Sequence, residues 1–514
     1  MSIEVENARV YTGRKVIKTD AEVIDESNLI DELTNALAIH RQNRADIQYL
    51  YDYYRGKQDI LCKTKTVREE INNKVTVNMA YQIVTFKVGY LAGEPIQYIS
   101  TEDAENVDKI MEELDKLNKA MYSIGKHKLD KDLIEWMMIC GTSYRYISSE
   151  KMEDVPFNLY TLDPRDTAIV YSTGIKREPK FAFSSYTKED NIVRVPAVNP
   201  GQYSMEVYEV FTDKMYYKVE DGKIVEKKPH YLGYIPIIEY PANNARLGSF
   251  EVVLPLLDML NKAYSDRMDA TEQFVQSFMK FVNCSMDEDD LRKIKDFGAV
   301  MIKSDNNLPA DVDLITSEMD QNQTETMIES VDMKILTITG LPNRSGGTGS
   351  TSDTGKATIY RDGFNDALSR ARETETNFKA SEIAMLRILF KLCEANNFCS
   401  LKTKDVEANF TIHNYDDIQS KAQVLIALLQ NAKVHPKLAF TASGLFVDSE
   451  SAYKMSMEYY EEEMKKMEEK MSMNTNNGEE IEEQGSSKNA KEEKQISNPV
   501  EKFADNSNAQ RVNS

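Results

Sequence analysis

The sequence predicts an α+β protein that is predominantly helical. Two observations indicate this class: long segments carry apolar residues at helical spacing, and between them lies a stretch of short runs in which apolar and polar residues alternate. With 514 residues, 41% of them apolar, the chain is long enough to form cores in several domains. No run of eighteen apolar residues occurs and the first residues are polar, so we expect neither a membrane span nor a signal peptide.

The N-terminal part is predicted to be helical after a polar arm. Residues 1–27 are polar, and we expect them to form a flexible arm. A first helix is predicted over 28–55, where apolar residues recur at helical spacing. A glycine and a polar loop follow, and then a second helix of about twenty residues, which the glycines and the proline of 89–95 are expected to end. Residues 105–148 indicate further helices.

The central stretch, residues 144–240, is predicted to form antiparallel strands. Apolar and polar residues alternate in its short runs, as in 204–210 and 215–219. Asp221-Gly222 lies at the end of one such run, and this dipeptide is typical of a tight hairpin turn. The run 234–240 is expected to close the β region.

Two long helices are predicted to flank a short insert. The first begins near Ser249, a suitable N-cap, and its apolar spacing continues to Val282. Pro255 predicts a late start or a kink in this helix. Residues 283–317 change to short, mixed elements. A second helix is predicted over 318–339, where about 1.5 Å per residue gives a length on the order of 30 Å, and a Gly-Leu-Pro sequence ends it.

The remaining elements are predicted from composition and spacing. A third helical stretch covers 352–395, with a bend expected near Gly363. Residues 407–415 are predicted to form a strand, and 416–471 to be helical. Residues 472–514 are polar and rich in Glu, Lys and Asn, so we expect a disordered acidic tail.

One of the C-terminal helices carries apolar residues at alternating spacings of four and three, the pattern of a coiled-coil seam. These residues are Tyr453, Met457, Tyr460, Met464, Met467 and Met471. The seam spans about two and a half heptads, whereas three or four are needed to identify a coiled coil. We therefore favour a helix packed within its own domain, with packing against a neighbouring subunit as the alternative.

Charge and residue chemistry exclude several classes of function. The net charge of −21 excludes a protein that grips DNA phosphates over its whole surface, because such binding requires clustered Lys and Arg. The five cysteines are scattered, the five histidines show no zinc-ligand spacing, and we expect reduced cytoplasmic thiols. Paired acids are common among the 84 carboxylates, but none has a matching histidine. We therefore predict no catalytic residue, no metal and no cofactor.

A glycine-rich loop at 344–356 invites comparison with a nucleotide-binding P-loop. Such a loop has four residues between its glycines, followed by Lys and then Ser or Thr. Here five residues separate Gly349 from Gly355, and Ala357 follows Lys356. A helix rather than a strand precedes the loop. The sequence therefore argues against an ATP site and favours a flexible linker.

The second long helix is predicted to have an acidic face. Glu325, Glu329 and Asp332 stand four and three residues apart and so share one side of a helix. Apolar residues occupy a different side: Ile328, Val331, Ile335 and Ile338. In an isolated subunit the acidic face would simply be solvated.

Four short motifs near the N-terminus carry a family resemblance. They are Tyr53 to Ile60 (YYRGKQDI), Asn72 to Lys74 (NNK), Asn78 to Ala80 (NMA) and Lys87 to Ile96 (KVGYLAGEPI). They resemble the start of the wing domain in tailed-phage portal proteins of the SPP1 type. The order of two long helices around an insert, then a loop and a third long helix, resembles the same family over roughly residues 30–470.

The resemblance implies a ring-forming subunit with a wing, stem, clip and crown. The implied segments are a wing at 28–248, a first stem helix at 249–282, a clip at 283–317, a second stem helix at 318–342, a tunnel loop at 343–356, a long helix returning through the wing at 357–406 and a crown at 407–471. The order and spacing of these segments are more specific than any single motif.

The resemblance also implies a function and partners. A portal protein is not an enzyme; it forms a dodecameric ring at the unique vertex of the virion capsid, after assembly in the host cytoplasm. Double-stranded DNA passes through the ring during packaging and ejection without sequence-specific binding. The implied protein partners are the terminase large subunit, a head-completion or adaptor protein, the scaffold and the major capsid protein, and no membrane is involved. The alternatives are another phage head component, such as an adaptor or minor head protein, and a nucleotide-binding enzyme.

Three groups of residues take roles by this resemblance. The DNA-facing tunnel loop would contain Arg344, Ser345, Gly346, Gly347, Thr348, Gly349, Ser350 and Lys356. The acidic side of the second stem helix, with Glu325, Glu329 and Asp332, would become the electronegative face of the channel. The clip docking surface would contain Asp287, Glu288, Asp289 and Asp290, which we also expect to cap a helix N-terminus.

Overall fold

The computed structural model describes residues 13–66, 69–101, 107–151, 155–189, 204–275, 278–282, 311–315, 321–343, 363–410, 418–431, 433–446 and 449–476. The fold is mixed, with helices making up about half of it. It comprises two compact units, Met1–Lys421 and Ala422–Ser514. No described helix has the length and apolar character needed to cross a membrane.

Four helices form the N-terminal part of the first unit. They are α1 (Leu29–Tyr54), α2 (Met79–Leu91), α3 (Val107–Ser123) and α4 (Lys126–Cys140). The predicted first helix is confirmed, and Gly56 leaves it with a φ of 92°, a conformation that favours glycine. The second helix has 13 residues rather than about twenty, because the Asn78 side chain accepts a hydrogen bond from the Tyr81 N–H and caps its start.

The predicted antiparallel region is confirmed as two sheets. The strands are β1 (Ile17–Thr19), β3 (Thr142–Ser148), β4 (Asn158–Leu162), β5 (Thr167–Ser172), β6 (Pro179–Glu189), β7 (Ser204–Phe211), β8 (Met215–Glu220), β9 (Lys223–Pro229) and β10 (Ile237–Pro241), with β2 (Gln97–Ser100) pairing elsewhere. One sheet has the order β1-β5-β6-β7-β8-β9 and the other β10-β3-β4. Asp221 and Gly222 both have positive φ, as the predicted tight hairpin requires. Leu29 and Leu33 of α1 pack with Phe183 in one sheet core.

The first long helix is shorter than predicted at both ends. A 3-10 turn (Glu251–Val253) precedes α5 (Leu254–Val275), so the late start expected from Pro255 is confirmed. Ser249 is not the N-cap; its hydroxyl is buried and has no hydrogen-bond partner in the described part of the chain. At the other end, Phe278–Val282 is strand β11, which pairs antiparallel with β12 (Asp311–Ile315). The helical spacing was misleading here because pairing with a strand 29 to 37 positions away in the sequence decides the conformation.

Two further long helices follow as predicted. Helix α6 (Gln321–Thr339) ends at Gly340, whose φ is 69°, and the Leu341 N–H donates to the Leu336 carbonyl. Helix α7 (Phe364–Ala395) begins directly after Gly363, the position at which a bend was expected. Residues 352–362 of that prediction lie outside the described residues.

The C-terminal elements complete the described chain. Strand β13 (Val406–Asn409) pairs with β2, and the predicted positions 411–415 lie outside the described residues. The described part of the stretch predicted to be helical there contains three helices: α8 (Ile418–Leu429), α9 (Pro436–Ser443) and α10 (Ser449–Asn476). Helix α10 continues to Asn476, so the predicted tail does not begin at 472; residues 477–514 lie outside the description.

Of the seam residues on α10 whose side chains the structure describes, Tyr453 is the one that packs within its unit. Tyr453 contacts Phe440 of α9 with ring centroids 5.8 Å apart. Beyond it, Tyr460 is 59% exposed and Met467 54% exposed. Packing within its own domain therefore accounts for the start of the seam, and the rest of its described length faces solvent in the single chain.

Candidate functional site

The candidate site is built on an antiparallel hairpin of α5 and α6. Near the end that carries the β11–β12 pair, the Arg267 guanidinium of α5 lies 3.5 Å from the Glu325 carboxylate of α6. At the opposite end, Val252 and Ile338 line one cavity. The 28 residues 283–310, which separate β11 from β12 in the sequence, therefore leave and return at a single end of the hairpin.

The predicted acidic face of α6 points mainly to solvent. Glu325 and Glu329 are exposed, and Asp332 is half-buried, where burial raises its carboxyl pKa. Glu325 differs from the other two in facing Arg267, which offsets part of its charge.

The predicted apolar side of α6 is largely buried. Ile328, Val331 and Ile335 are buried in the large core, whereas Ile338 is 43% exposed. The described residues of the hairpin also expose four methionines: Met259 and Met268 on α5, and Met327 and Met333 on α6. Exposed large apolar groups on one element are typical of a surface that another protein covers.

An extended segment, residues 73–77, lies along α5, and three of its backbone N–H groups donate to side chains of that helix. The backbone N–H groups of residues 73, 75 and 77 donate to Asp269 Oδ1 (2.6 Å), Ser265 Oγ (2.9 Å) and Asn261 Oδ1 (2.8 Å). Two residues of extended chain advance about 6.6 Å, and four residues of a helix about 6.0 Å, so the two repeats nearly match. We call this set of three bonds the α5 clamp.

Charged groups strengthen one end of the α5 clamp. Asp269 also accepts hydrogen bonds from Lys63 Nζ at 2.9 Å and from the Asn73 side chain at 3.0 Å, and it pairs with Lys65 Nζ at 2.5 Å. Burial opposes ionisation of Asp269, but these donors outweigh it and hold its pKa well below the usual value. The carboxylate is therefore ionised and holds the loop on α5 throughout the neutral pH range.

Side-chain amide groups form the other end of the α5 clamp. The Gln58 side chain donates to the Tyr53 carbonyl (3.3 Å) and to Asn78 Oδ1 (3.1 Å), and it accepts a bond from Asn261 Nδ2 (2.5 Å). The Tyr53 hydroxyl donates to Asp258 of α5 at 2.8 Å. The polar residues of the N-terminal motifs thus connect α1 and α2 to the first helix of the hairpin.

A buried network of four charged side chains links α7 to α4 and β3. The Arg145 guanidinium donates to Asp130 (2.6 Å), and Lys126 Nζ lies 2.7 Å from both Asp130 and Glu382 of α7. The hydroxyls of Tyr98 and Tyr240 donate to Glu382 at 2.5 Å and 2.7 Å. Burial opposes ionisation of Glu382, but Lys126 and Arg145 outweigh it and lower its pKa to about 2. Opposite charges balance, so the network can remain ionised inside the protein.

A cavity of about 290 Å³ lies where α2, the end of α6 and the start of α7 meet. Lys87, Arg370 and Glu373 line it together with apolar side chains. Burial, reinforced by the charge of Arg370, lowers the pKa of Lys87 to about 8, although Glu373 acts in the opposite direction. Gly340 and Ala367, near the two ends of the segment that contains the glycine-rich loop, also line the cavity.

The other predicted site residues lie outside the described residues. These are the loop residues Arg344, Ser345, Gly346, Gly347, Thr348, Gly349, Ser350 and Lys356, and the acidic residues Asp287, Glu288, Asp289 and Asp290. Among the residues that are described, no group of three or more His, Cys, Asp or Glu side chains could hold a metal ion.

Sequence reasoning missed the α5 clamp, although a signal for it exists. Polar residues of α5 recur at spacings of three and four and form a second stripe on the helix: Asp258, Asn261, Ser265, Asp269 and Glu272. A polar stripe on a helix that also has an apolar stripe can indicate contact with a polar loop. The motifs alone could not identify α5 as their partner.

Comparison with known proteins agrees with this architecture. No curated protein matches the chain. The family model described as "Phage portal protein, SPP1 Gp6-like" matches residues 33–491. This match spans the four N-terminal motifs, the hairpin of α5 and α6, α7 and the C-terminal helices. The chain therefore belongs to the family of SPP1-type phage portal proteins.

Proposed function

We propose that this chain forms the dodecameric portal ring at the unique vertex of a phage head and conducts double-stranded DNA during packaging and ejection. Family membership carries a structural role in an oligomeric ring of the phage capsid. The observation that supports the finer proposal is the hairpin of α5 and α6, which releases residues 283–310 at one end and is joined to the N-terminal helices by the α5 clamp. In this proposal the hairpin is the stem, and the segment at its end is the clip.

The channel would be an electronegative conduit with low friction. The proposed channel face of α6 contains the exposed Glu325 and Glu329 and the half-buried Asp332, and the whole chain has a net charge of −21. Repulsion between such a wall and DNA phosphates prevents deep binding minima, although salt screens it beyond roughly 8–10 Å. Arg344 and Lys356, at the ends of the proposed tunnel loop, would supply brief contacts with the phosphates.

Neighbouring subunits would cover the exposed methionines of the hairpin. Met327 is 45% and Met333 56% exposed on α6, and Met268 is exposed on α5. A ring places copies of one hairpin side by side, which would remove such groups from water.

The clip would dock other proteins of the head. We assign the docking surface to Asp287, Glu288, Asp289 and Asp290, and the partners to the terminase large subunit before packaging and a head-completion or adaptor protein afterwards. Scaffold and major capsid protein would contact the ring during assembly in the host cytoplasm. Terminase would supply the energy for DNA movement, so the portal chain itself needs no catalytic site.

Electron microscopy of the purified protein tests the proposal. We expect rings with a central channel and symmetry near twelvefold. A protein that stays monomeric at every salt concentration, and also when co-expressed with its scaffold and coat proteins, would contradict the portal-ring proposal. A solid disc or a short adaptor-like ring would instead favour another phage head component.

A pair of variants tests the hairpin as the ring interface. Met327→Glu combined with Met333→Glu should abolish rings while the far-ultraviolet circular dichroism spectrum stays unchanged, because charges would then be buried between subunits. The control is Ile175→Glu, a fully exposed position in the turn between β5 and β6, which should leave rings intact. Normal rings from the methionine variant would place the interface elsewhere.

A further inference from the structure

The end of α7 is a rigid turn that reverses the chain. Asn397 has a φ of 51°, the left-handed conformation that ends many helices and that asparagine tolerates. The Phe398 N–H donates to the Cys393 carbonyl at 2.8 Å, and the Asn397 N–H to the Glu394 carbonyl at 3.1 Å. These two bonds are those of a Schellman motif. They direct residue 399 back against the last turns of α7.

The turn brings together two thiols that are six positions apart in the sequence. Cys393 and Cys399 are both free thiols in the large core, and the Cys393 S–H donates to the Cys399 sulfur. Cys393 is fully buried, whereas Cys399 retains 6% exposure. Of the two residues, Cys399 is therefore the one that solvent reaches.

The charges around the pair distinguish the two sulfurs. The hydrogen bond from Cys393 lowers the pKa of Cys399; the Leu401 N–H and the charge of Lys116 act in the same direction, against burial and Glu113. The same hydrogen bond, together with burial, raises the pKa of Cys393. Lys116 of α3 is held in place because its Nζ donates to the Phe398 carbonyl at 2.7 Å. Cys399 is thus the better nucleophile, and Cys393 is a thiol positioned beside it.

We infer that Cys393 and Cys399 form a reversible dithiol–disulfide couple, in which Cys399 reacts first with a small two-electron oxidant of the peroxide class. The Cys399 thiolate attacks one oxygen of hydrogen peroxide, the O–O bond breaks, and the departing hydroxide takes up the proton that Cys399 had released. Cys399 is then a sulfenic acid. The Cys393 sulfur attacks the sulfenic sulfur, and the displaced hydroxide leaves as water with the Cys393 proton. Two thiols are oxidised to one disulfide while one peroxide is reduced to two waters.

A thiol reductant reverses the reaction, so the couple responds to its surroundings. A reducing cell interior keeps such a pair as thiols, and an oxidising exterior converts it to a disulfide. The bond would fix the turn at the end of α7 covalently. This chemistry requires neither DNA nor a ring.

Peptide mapping of the full-length protein tests the couple. The reduced protein is treated with stoichiometric hydrogen peroxide, the remaining thiols are alkylated with iodoacetamide under denaturing conditions, and the protein is digested with trypsin. Residues 392–402 form one tryptic peptide that contains both cysteines. We expect this peptide to lose two hydrogens and take up no iodoacetamide, and dithiothreitol should reverse the change. Double alkylation of the peptide, at a peroxide dose that oxidises the exposed Cys62, would overturn the inference.

Single variants test which sulfur reacts first. In Cys393→Ser, Cys399 should stop at the sulfenic acid and be trapped by dimedone, whereas in Cys399→Ser, Cys393 should remain a thiol. Equal trapping in both variants would refute the assigned order. Lys116→Met should slow oxidation severalfold at pH 7 and shift its pH profile upward, and Lys116→Arg should restore both. The control Cys62→Ser should oxidise at 392–402 like the unaltered protein.

Discussion

Asp269→Asn tests the α5 clamp at its most highly charged point. The new side chain keeps an oxygen that accepts from Asn73, but it loses the negative charge that Lys63 and Lys65 face. Hydrogen bonds to charged groups contribute about 1.5–3 kcal/mol each, and neutral ones about 1 kcal/mol. Both lysines can turn toward solvent, which recovers part of the loss. We expect the segment 73–77 to lose about 2 kcal/mol of local stability.

Hydrogen exchange of the segment 73–77, followed by mass spectrometry, measures this loss directly. A loss of about 2 kcal/mol corresponds to exchange faster on the order of thirtyfold. The matched control is Asp266→Asn, which removes a more exposed partner of the same Lys63 and should cost less than about 1 kcal/mol. Equal acceleration in the two variants, or none in Asp269→Asn, would refute the assignment of Asp269 as the main anchor.

The same assay has a predicted pH dependence. The pKa of Asp269 is lower in the folded chain than in the unfolded one, so its stabilisation is complete above about pH 4, the unfolded pKa. It is lost as the pH falls from there through the folded pKa. Protection of residues 73–77, corrected for intrinsic exchange, should therefore decline on acidification in the original protein and much less in Asp269→Asn.

Three further predictions concern other parts of the chain. Lys87→Met should stabilise the protein at pH 7 by about 2 kcal/mol in urea unfolding, because the pKa of Lys87, about 8 in the folded chain, lies below its value in the unfolded chain. For the same reason, the original protein should gain stability between about pH 8 and pH 10.5, and a flat profile over that range would contradict the lowered pKa. Glu382→Gln leaves Lys126 and Arg145 buried with one acid instead of two, so it should lower the unfolding free energy by about 3 kcal/mol or more. The control is Glu375→Gln, on the same helix but near the surface. This control should change the unfolding free energy by under about 1 kcal/mol. Deleting residues 346–354 should leave rings intact in electron micrographs and impair DNA packaging, and failure of the rings to form would refute the assignment of this segment to a tunnel loop.

Local rules predicted much of the fold. The bounds of α1 and α6 follow from helical spacing and from glycines at their ends, and Asp221-Gly222 fixed a hairpin through its backbone preference alone. Each of these features depends on residues close together in the chain. The family resemblance rested on the same kind of local motif, together with the order of the elements.

Features that depend on contacts between residues far apart in the sequence could not be predicted from local patterns. Phe278 continued a helical pattern but pairs with Ile315 in a sheet. Asn73 and Asn78 stood out as motif residues, yet nothing nearby in the sequence points to α5 as the element they serve. The cysteine pair was likewise invisible, because a Schellman turn rather than a C-x-x-C spacing brings Cys399 to Cys393.

The matched repeat of the α5 clamp has a mechanical consequence. Turning α5 about its own axis by a single residue, about 100°, would carry Asn261, Ser265 and Asp269 away from the segment 73–77 at the same moment. Sliding α5 by less than a full turn would break the same three bonds together. A torque applied to the hairpin is therefore transmitted to α1 and α2, because the three bonds hold or break together. A tunnel wall made from these helices would rotate only together with α1 and α2.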